Sequence, residues 1–172
     1  MKIANRYASA INASNLKSDP KTTYSPTDVL GAYGLAARHH PLGVALQRLF
    51  VDGKAGDCVD LMAKMARDYS FRIKARLSPF QSQRIAQKVL AWYRHGVCEE
   101  CGGTGKEVIL EPKPHLSDED CRHCYGVGRR PFAPNFTAET LEVAIWLKDE
   151  VSMHQALAGK AAMMAIAPSL EL

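Results

Sequence analysis

Four cysteines stand in two pairs, Cys98/Cys101 and Cys121/Cys124. Each pair is followed by a glycine-rich run, Gly102-Gly103-Thr104-Gly105 after the first and Tyr125-Gly126-Val127-Gly128 after the second. Two cysteines three apart can reach one metal ion when the backbone between them turns tightly. Glycines just beyond let the turn close and leave N–H groups free to face the thiolates. Two such knuckles supply four thiolates, a full tetrahedral shell for a Zn²⁺ ion, and the C-x2-C-x19-C-x2-C spacing falls in the range of zinc modules. Two disulfides or four unrelated core thiols are the alternatives, and the register of the glycines with the cysteines favours one metal. A shell of four thiolates leaves no position for water or substrate, so the ion is expected to build structure. His95, His115 and His123 lie near enough in sequence to substitute as ligands, but four thiolates already fill the shell.

A catalytic constellation is not legible. The chain has no G-x-x-x-x-G-K-[ST], no G-x-G-x-x-G after a strand, no G-x-S-x-G and no H-E-x-x-H. Neither cysteine pair is preceded by the proline of the deaminase signature. The expectation is a protein that is not an enzyme.

A second group suited to recognition lies upstream. Gln81, Gln83, Arg84, Gln87 and Lys88 fall at the start of a helical pattern, and Arg72, Lys74 and Arg76 precede it. Glutamine can pair with adenine and arginine or lysine with guanine, while the earlier cations suit phosphates. The plainer reading is an amphipathic helix with a solvated outer face.

These groups need elements to hold them. Ser25-Pro26-Thr27-Asp28 is a helix start, with a cap, a proline at the first position and an acid at the positive end of the dipole. The face Val29, Leu30, Tyr33, Ala36, Ala37 follows, until Pro41 forces a break and opens a second helix with Leu42, Ala45, Leu46, Leu49 and Phe50 inward. After the turn at residues 52–57, Val59, Met62, Ala66 and Tyr69 mark a third helix. Residues 71–77 continue it or connect it to a fourth, which Ser78-Pro79-Phe80-Gln81 opens with a capping box, with Ile85, Val89 and Trp92 inward. Helix, tight turn and capped polar helix together predict a region like a helix-turn-helix. Short strands are expected at residues 107–110 and 129–132, with residues 117–120 as an acidic linker. The last helix opens at Thr137 and runs to about Ala165, with Leu141, Ala144, Ile145, Leu147, Val151, Ala158, Ala161 and Met164 inward and Gly159 as a weak point.

Composition agrees with a globular chain: 172 residues, 47% apolar and 23% charged. The fold class is therefore mainly α, a helical bundle carrying an inserted four-cysteine zinc ribbon or knuckle module. Residues 1–23 read as a flexible arm with Ile3, Tyr7 and Ile11 four apart, 24–96 as the helical DNA-binding region, 97–132 as the zinc module and 133–172 as a helix packing back. No apolar run reaches membrane-span length and the first residues lack a signal-like apolar stretch. With cysteines in metal-type pairs, the expected compartment is a reducing cytosol, with no membrane partner. Cys58, the odd cysteine, sits in an apolar pattern and reads as a buried small side chain.

The net charge of +4 is uneven. From Lys64 to Arg94 eight cations face one acid, Asp68, whereas from Cys98 to Cys124 seven acids outnumber three cations. A basic helical face beside an acidic metal module favours a polyanion for the first and a protein for the second.

Two families resemble parts of this pattern. The repeated C-x-x-C-x-G-x-G at Cys101–Gly105 and Cys124–Gly128 is similar to the cysteine-rich region of J-domain co-chaperones. Those carry four knuckles and a His-Pro-Asp helical domain; here there are two, and His40-Pro41-Leu42 lacks the aspartate. Over residues 25–160 the chain resembles the Q antitermination proteins of lambdoid bacteriophages, in Thr27-Asp28-Val29-Leu30-Gly31-Ala32 running into Pro41-Leu42-Gly43-Val44-Ala45-Leu46, the capped helix at 78–95, the paired knuckles and an alanine-rich last helix. That resemblance implies a factor that binds double-stranded DNA near a phage late promoter in the bacterial host. It would join a paused, sigma-containing host RNA polymerase holoenzyme and carry it through terminators. It places the zinc ligands at Cys98, Cys101, Cys121 and Cys124. The runner-up is a zinc-ribbon adaptor, chaperone-like, without DNA binding.

Overall fold

The computed structural model describes residues 26–110 and 112–167. The N-terminal arm, the Ser25 cap, Glu111 and the side chain of Phe50 lie outside the described residues. Among the described residues are five α-helices and a two-stranded antiparallel sheet: α1 Pro26–His39, α2 Pro41–Asp52, α3 Gly56–Arg72, α4 Pro79–His95, β1 Lys106–Ile109, β2 His115–Asp120 and α5 Ala138–Ile166.

The helix boundaries follow local chemistry. Pro41 has no N–H to donate, and His40 leaves helical geometry with ψ 59°. α2 stops at Gly53, whose positive φ lets its N–H donate back to the Leu49 carbonyl. α4 starts with the expected capping box: Ser78 Oγ accepts from Gln81 N at 3.2 Å, and Gln81 Oε1 accepts from Ser78 N at 2.9 Å. The expected acidic linker is instead β2, which pairs with β1 through Lys106↔Asp120, Val108↔Leu116 and Ile109↔His115. Its run of charges hid it, since both faces of this small hairpin are largely open to water. Arg129 forms only an isolated bridge with Val97, not a strand.

α5 is the spine. Its first half buries Val143, Ala144, Leu147 and Val151 against Leu42, Leu46 and Leu49 of α2, Met62 and Ala66 of α3, and Ile85 and Val89 of α4. Its second half buries Ala158, Ala162 and Ile166 against Val29, Ala32, Tyr33 and Ala36 of α1. Two of the expected inward residues, Ile145 and Met164, are exposed, and Val143, Ala162 and Ile166 are buried in their place. The helix is apolar nearly all round, so periodicity does not say which stripe packs. Gly159 interrupts nothing. α2 crosses α5 closely at Gly43, where an added Cβ would overlap the His154 carbonyl and the Ala158 methyl.

Where a helix-turn-helix is expected, α3 and α4 lie side by side and run in opposite directions. Residues 73–78 join α3 to α4, and the start of α3 (Gly56, Val59, Asp60) and the end of α4 (Gln87, Arg94, His95) border one cleft of about 430 Å³. A helix-turn-helix has a three- to four-residue turn and a steep crossing. The longer connector is fixed by Ser70, which is fully buried. Its hydroxyl donates to the Arg67 carbonyl and accepts from Leu77 N, while its carbonyl accepts from Ala75 N. Lys74 takes φ 61° and Arg76 φ 47°, so the helix ends with lysine at a position that glycine usually fills.

Candidate metal centre and basic face

α4 ends at His95, and within three residues the chain enters the first knuckle. All four sulfurs of Cys98, Cys101, Cys121 and Cys124 lie within 4.8 Å of one another, and all four residues are buried. Cys98 Sγ and Cys121 Sγ are 4.0 Å apart and Cys101 Sγ and Cys124 Sγ 3.7 Å. These separations exclude disulfides, whose sulfurs sit about 2 Å apart. They fit a tetrahedron around an ion bonded at about 2.3 Å, whose edges are about 3.8 Å. Among the described residues no other cluster of metal-ligating side chains is present. His95 and His123 line the neighbouring cleft, and His115 bonds the Lys113 carbonyl through Nδ1.

The two knuckles are related by a local pseudo-twofold. Cys98 N donates to Gly128 O and Cys121 N to Gly105 O; Thr104 N donates to Cys101 O and Val127 N to Cys124 O. Gly105 N points at Cys101 Sγ and Gly128 N at Cys124 Sγ, at 3.4 and 3.2 Å. Positive φ recurs in register at Gly102/Tyr125, Gly103/Gly126 and Gly105/Gly128. The loops touch backbone to backbone, so that an added Cβ on Gly105 would overlap the Gly126 carbonyl and one on Gly128 the Gly103 carbonyl. The glycines that look like punctuation in the sequence are the contact between the halves.

This packing sets the sulfur chemistry. Desolvation in the cluster raises the thiols, but at Cys101 the N–H groups of Gly105 and Gly103 and the neighbouring thiols outweigh it and lower the group to about 6. At Cys124 desolvation wins over the Gly128 N–H, and the surrounding sulfurs add to the rise, to about 11. A cluster that favours one thiolate and crowds the rest has the donor set to hold a cation.

The module is fastened to α4. Trp92 Nε1 donates to the Arg130 carbonyl at 2.9 Å, Arg130 N donates to Gly96 O at 2.8 Å, and the Arg129 guanidinium lies 4.3 Å from the Trp92 ring centre. Arg130 also pairs with Glu99. Phe132 meets the edge of Trp92, and Lys88 Nζ donates to the Asn135 carbonyl at 2.7 Å. Burial pushes the Tyr93 phenol up, and Arg129 partly offsets this. Between α4 and the module lies a cleft of about 610 Å³.

Arg72, Lys74, Arg76, Gln81, Gln83, Arg84, Gln87 and Lys88 are all exposed, yet they do not share one surface. Arg72, Lys74 and Arg76 sit at the connector end of the hairpin, with Arg72 over Tyr69 and Trp146 at 5.5 and 5.6 Å. Gln81 has its carbonyl oxygen in the cap. Gln83 and Gln87 border the cleft with α3, Lys88 faces the metal module, and Arg84 lies over the exposed ring of Phe80. Sequence reading missed Phe71 and Phe80, which stand out in water at the same end. Phe80 directly follows the helix-opening proline and falls outside the buried stripe, which is the signal that could have found it.

The chain matches no protein-family model and no curated protein sequence. No helix among the described residues is long and apolar enough to cross a membrane.

Proposed function

We propose that this chain is a Zn²⁺-stabilised transcription antitermination factor of the kind its sequence resembles, one that engages duplex DNA and host RNA polymerase. The observation that carries the reading is the direct fusion of a capped, cation-bearing helix, α4, to a closed four-thiolate module docked on that same helix. Such an arrangement offers two surfaces of different character on one body. The exposed residues of α4, Arg84 over Phe80 with Gln83 and Gln87 on the rim of the cleft with α3, suit duplex DNA. The β-hairpin side of the module, with Glu107, Asp118 and Glu119, suits a protein that is not a polyanion. A closed sulfur shell gives the ion a structural role, and zinc is the ion that four thiolates in a tetrahedron favour.

The test is selection of the metal-loaded protein on a pool of random duplexes, followed by purified transcription on a template carrying the selected site, a promoter and a terminator. Enrichment of one sequence and read-through that depends on it are the expected results. No enrichment, together with no read-through on any late-promoter template, would overturn the reading.

One observation favours the adaptor instead. Tyr125 and Val127, 80% and 71% exposed, stand at the tip of the second knuckle, where the first carries Gly102 and Thr104. A tyrosine held in a left-handed conformation and left in water is the kind of anchor a protein partner buries. Tyr125→Ala abolishing every partner contact while duplex binding is nil would select that reading.

A further inference from the structure

The connector end of the α3–α4 hairpin combines features that the duplex reading of α4 does not use. Phe71, in the last turn of α3, and Phe80, in the first turn of α4, are 55% and 67% exposed. Because the helices run antiparallel and residues 73–78 join them, both rings stand at the same end. Each has a guanidinium beside it: Arg67 is 5.8 Å from the Phe71 ring centre, and Arg84 is 5.8 Å from that of Phe80. Lys74 and Arg76 lie in the connector between them, exposed, on a backbone that Ser70 holds with two residues at left-handed φ. Asp68 is the only acid in the sequence between Lys64 and Arg94. On one flank Tyr69 and Trp146 stack at 4.2 Å with Arg72 over both, and Glu142, lining the recess beside them, marks the edge of the surface.

We propose that this end of the hairpin binds single-stranded nucleic acid, with Phe71 and Phe80 stacking on successive bases and Lys74, Arg76 and the flanking arginines on the phosphates. Aromatic rings interleaved with cations are the composition of strand-binding surfaces, because every base has a face to stack while the backbone is uniformly charged. A duplex presents no base faces, so it would satisfy the cations and leave both rings in water. This end consists of two helix termini and the connector at residues 73–78, not of a helix side that could lie along a groove. The strained turn fits the assignment, since left-handed non-glycine residues persist where surrounding structure holds them for a purpose. DNA and RNA strands share this chemistry, and the choice between them falls to the 2′-hydroxyl.

The assignment does not require sequence-specific duplex binding by the α4 face, with which it shares Arg84, and the test keeps the two apart by varying the rings, which duplex binding does not use. Fluorescence anisotropy on the full, metal-loaded chain would compare labelled single-stranded DNA and RNA of about a dozen nucleotides with a duplex of the same sequence. The parent is expected to prefer the single strands. Phe71→Ala and Phe80→Ala should each weaken strand binding about five- to a hundredfold, as removal of a base-stacking ring does, and leave duplex binding at the parent level. Phe80→Tyr should restore it. Lys74→Gln with Arg76→Gln should flatten the salt dependence by about 0.7 in slope for each phosphate no longer neutralised. Both rings are exposed, so metal content and helical circular dichroism should be unchanged, which separates a missing ring from a broken fold. Strand binding at parent level in the double Phe71→Ala/Phe80→Ala variant would overturn the proposal. So would equal losses on strand and duplex, or competition by a polyglutamate peptide as effective as the strand itself.

Discussion

At the scale of single residues, the four-cysteine module rests on sulfur and glycine. Each thiolate is held by position in a knuckle, and each knuckle closes only because its glycines take left-handed φ and let the other loop's carbonyls approach. Gly105→Ala and Gly128→Ala combine a disallowed backbone with an overlap against the opposite loop. Both should lower metal affinity, and a chelator competition is the check; affinity equal to the parent would mean that the loops do not pack as described. Acid should release the ion. Protons compete with the ion for all four thiolates, so metal content followed by dialysis should hold in mildly alkaline buffer and fall as the solution is acidified. Lys74, exposed at φ 61°, predicts the opposite sign. Lys74→Gly should stabilise the chain by about 0.5–1 kcal/mol in denaturant melts, since glycine carries no Cβ penalty there.

At the scale of elements, the capped start of α4 and the stripes of α1, α2 and α3 were plain in the sequence, because Pro41, Ser78-Pro79 and the three- and four-residue spacings each have one local meaning. The four-cysteine cluster was plain for the same reason: cysteine and glycine in register have few other uses. What was not legible came from outside the segment concerned. β2 exists through its pairing with β1, which a run reading His-Leu-Ser-Asp-Glu-Asp does not announce. The buried stripe of α5 depends on which helices reach it. The path of the connector between α3 and α4 depends on Ser70, a buried hydroxyl that ties it from inside. Arg72 and Arg76 sit at that connector. Arg72→Ala and Arg76→Ala should weaken nucleic-acid binding without regard to base sequence, whereas Arg84→Ala, on the helix face, should cost about 1–3 kcal/mol of preference at a base pair. Titration of each variant against matched and mismatched duplexes checks this.

At the scale of the whole molecule, the metal module and the bundle are one body because residues 129–136 run from the second knuckle across Trp92 to Phe136 and into α5. The two ends of that body are charged differently, which suits a factor that holds a nucleic acid and a protein together. Neutralising Asp118 and Glu119 to their amides should keep metal and DNA affinity while lowering terminator read-through. Asp120 is left in place because it pairs with Lys106 at 2.9 Å. Full read-through by that variant would assign the polymerase contact elsewhere. All of this depends on the ion. The most direct test is elemental analysis of the purified full chain beside Cys98→Ser and Cys121→Ser, with amide exchange over residues 97–131. One tightly held zinc per chain is expected, absent from both variants, with protection lost in the module and kept in α1–α3. Variants that keep the ion, or that lose it with the module's protection intact, would contradict it.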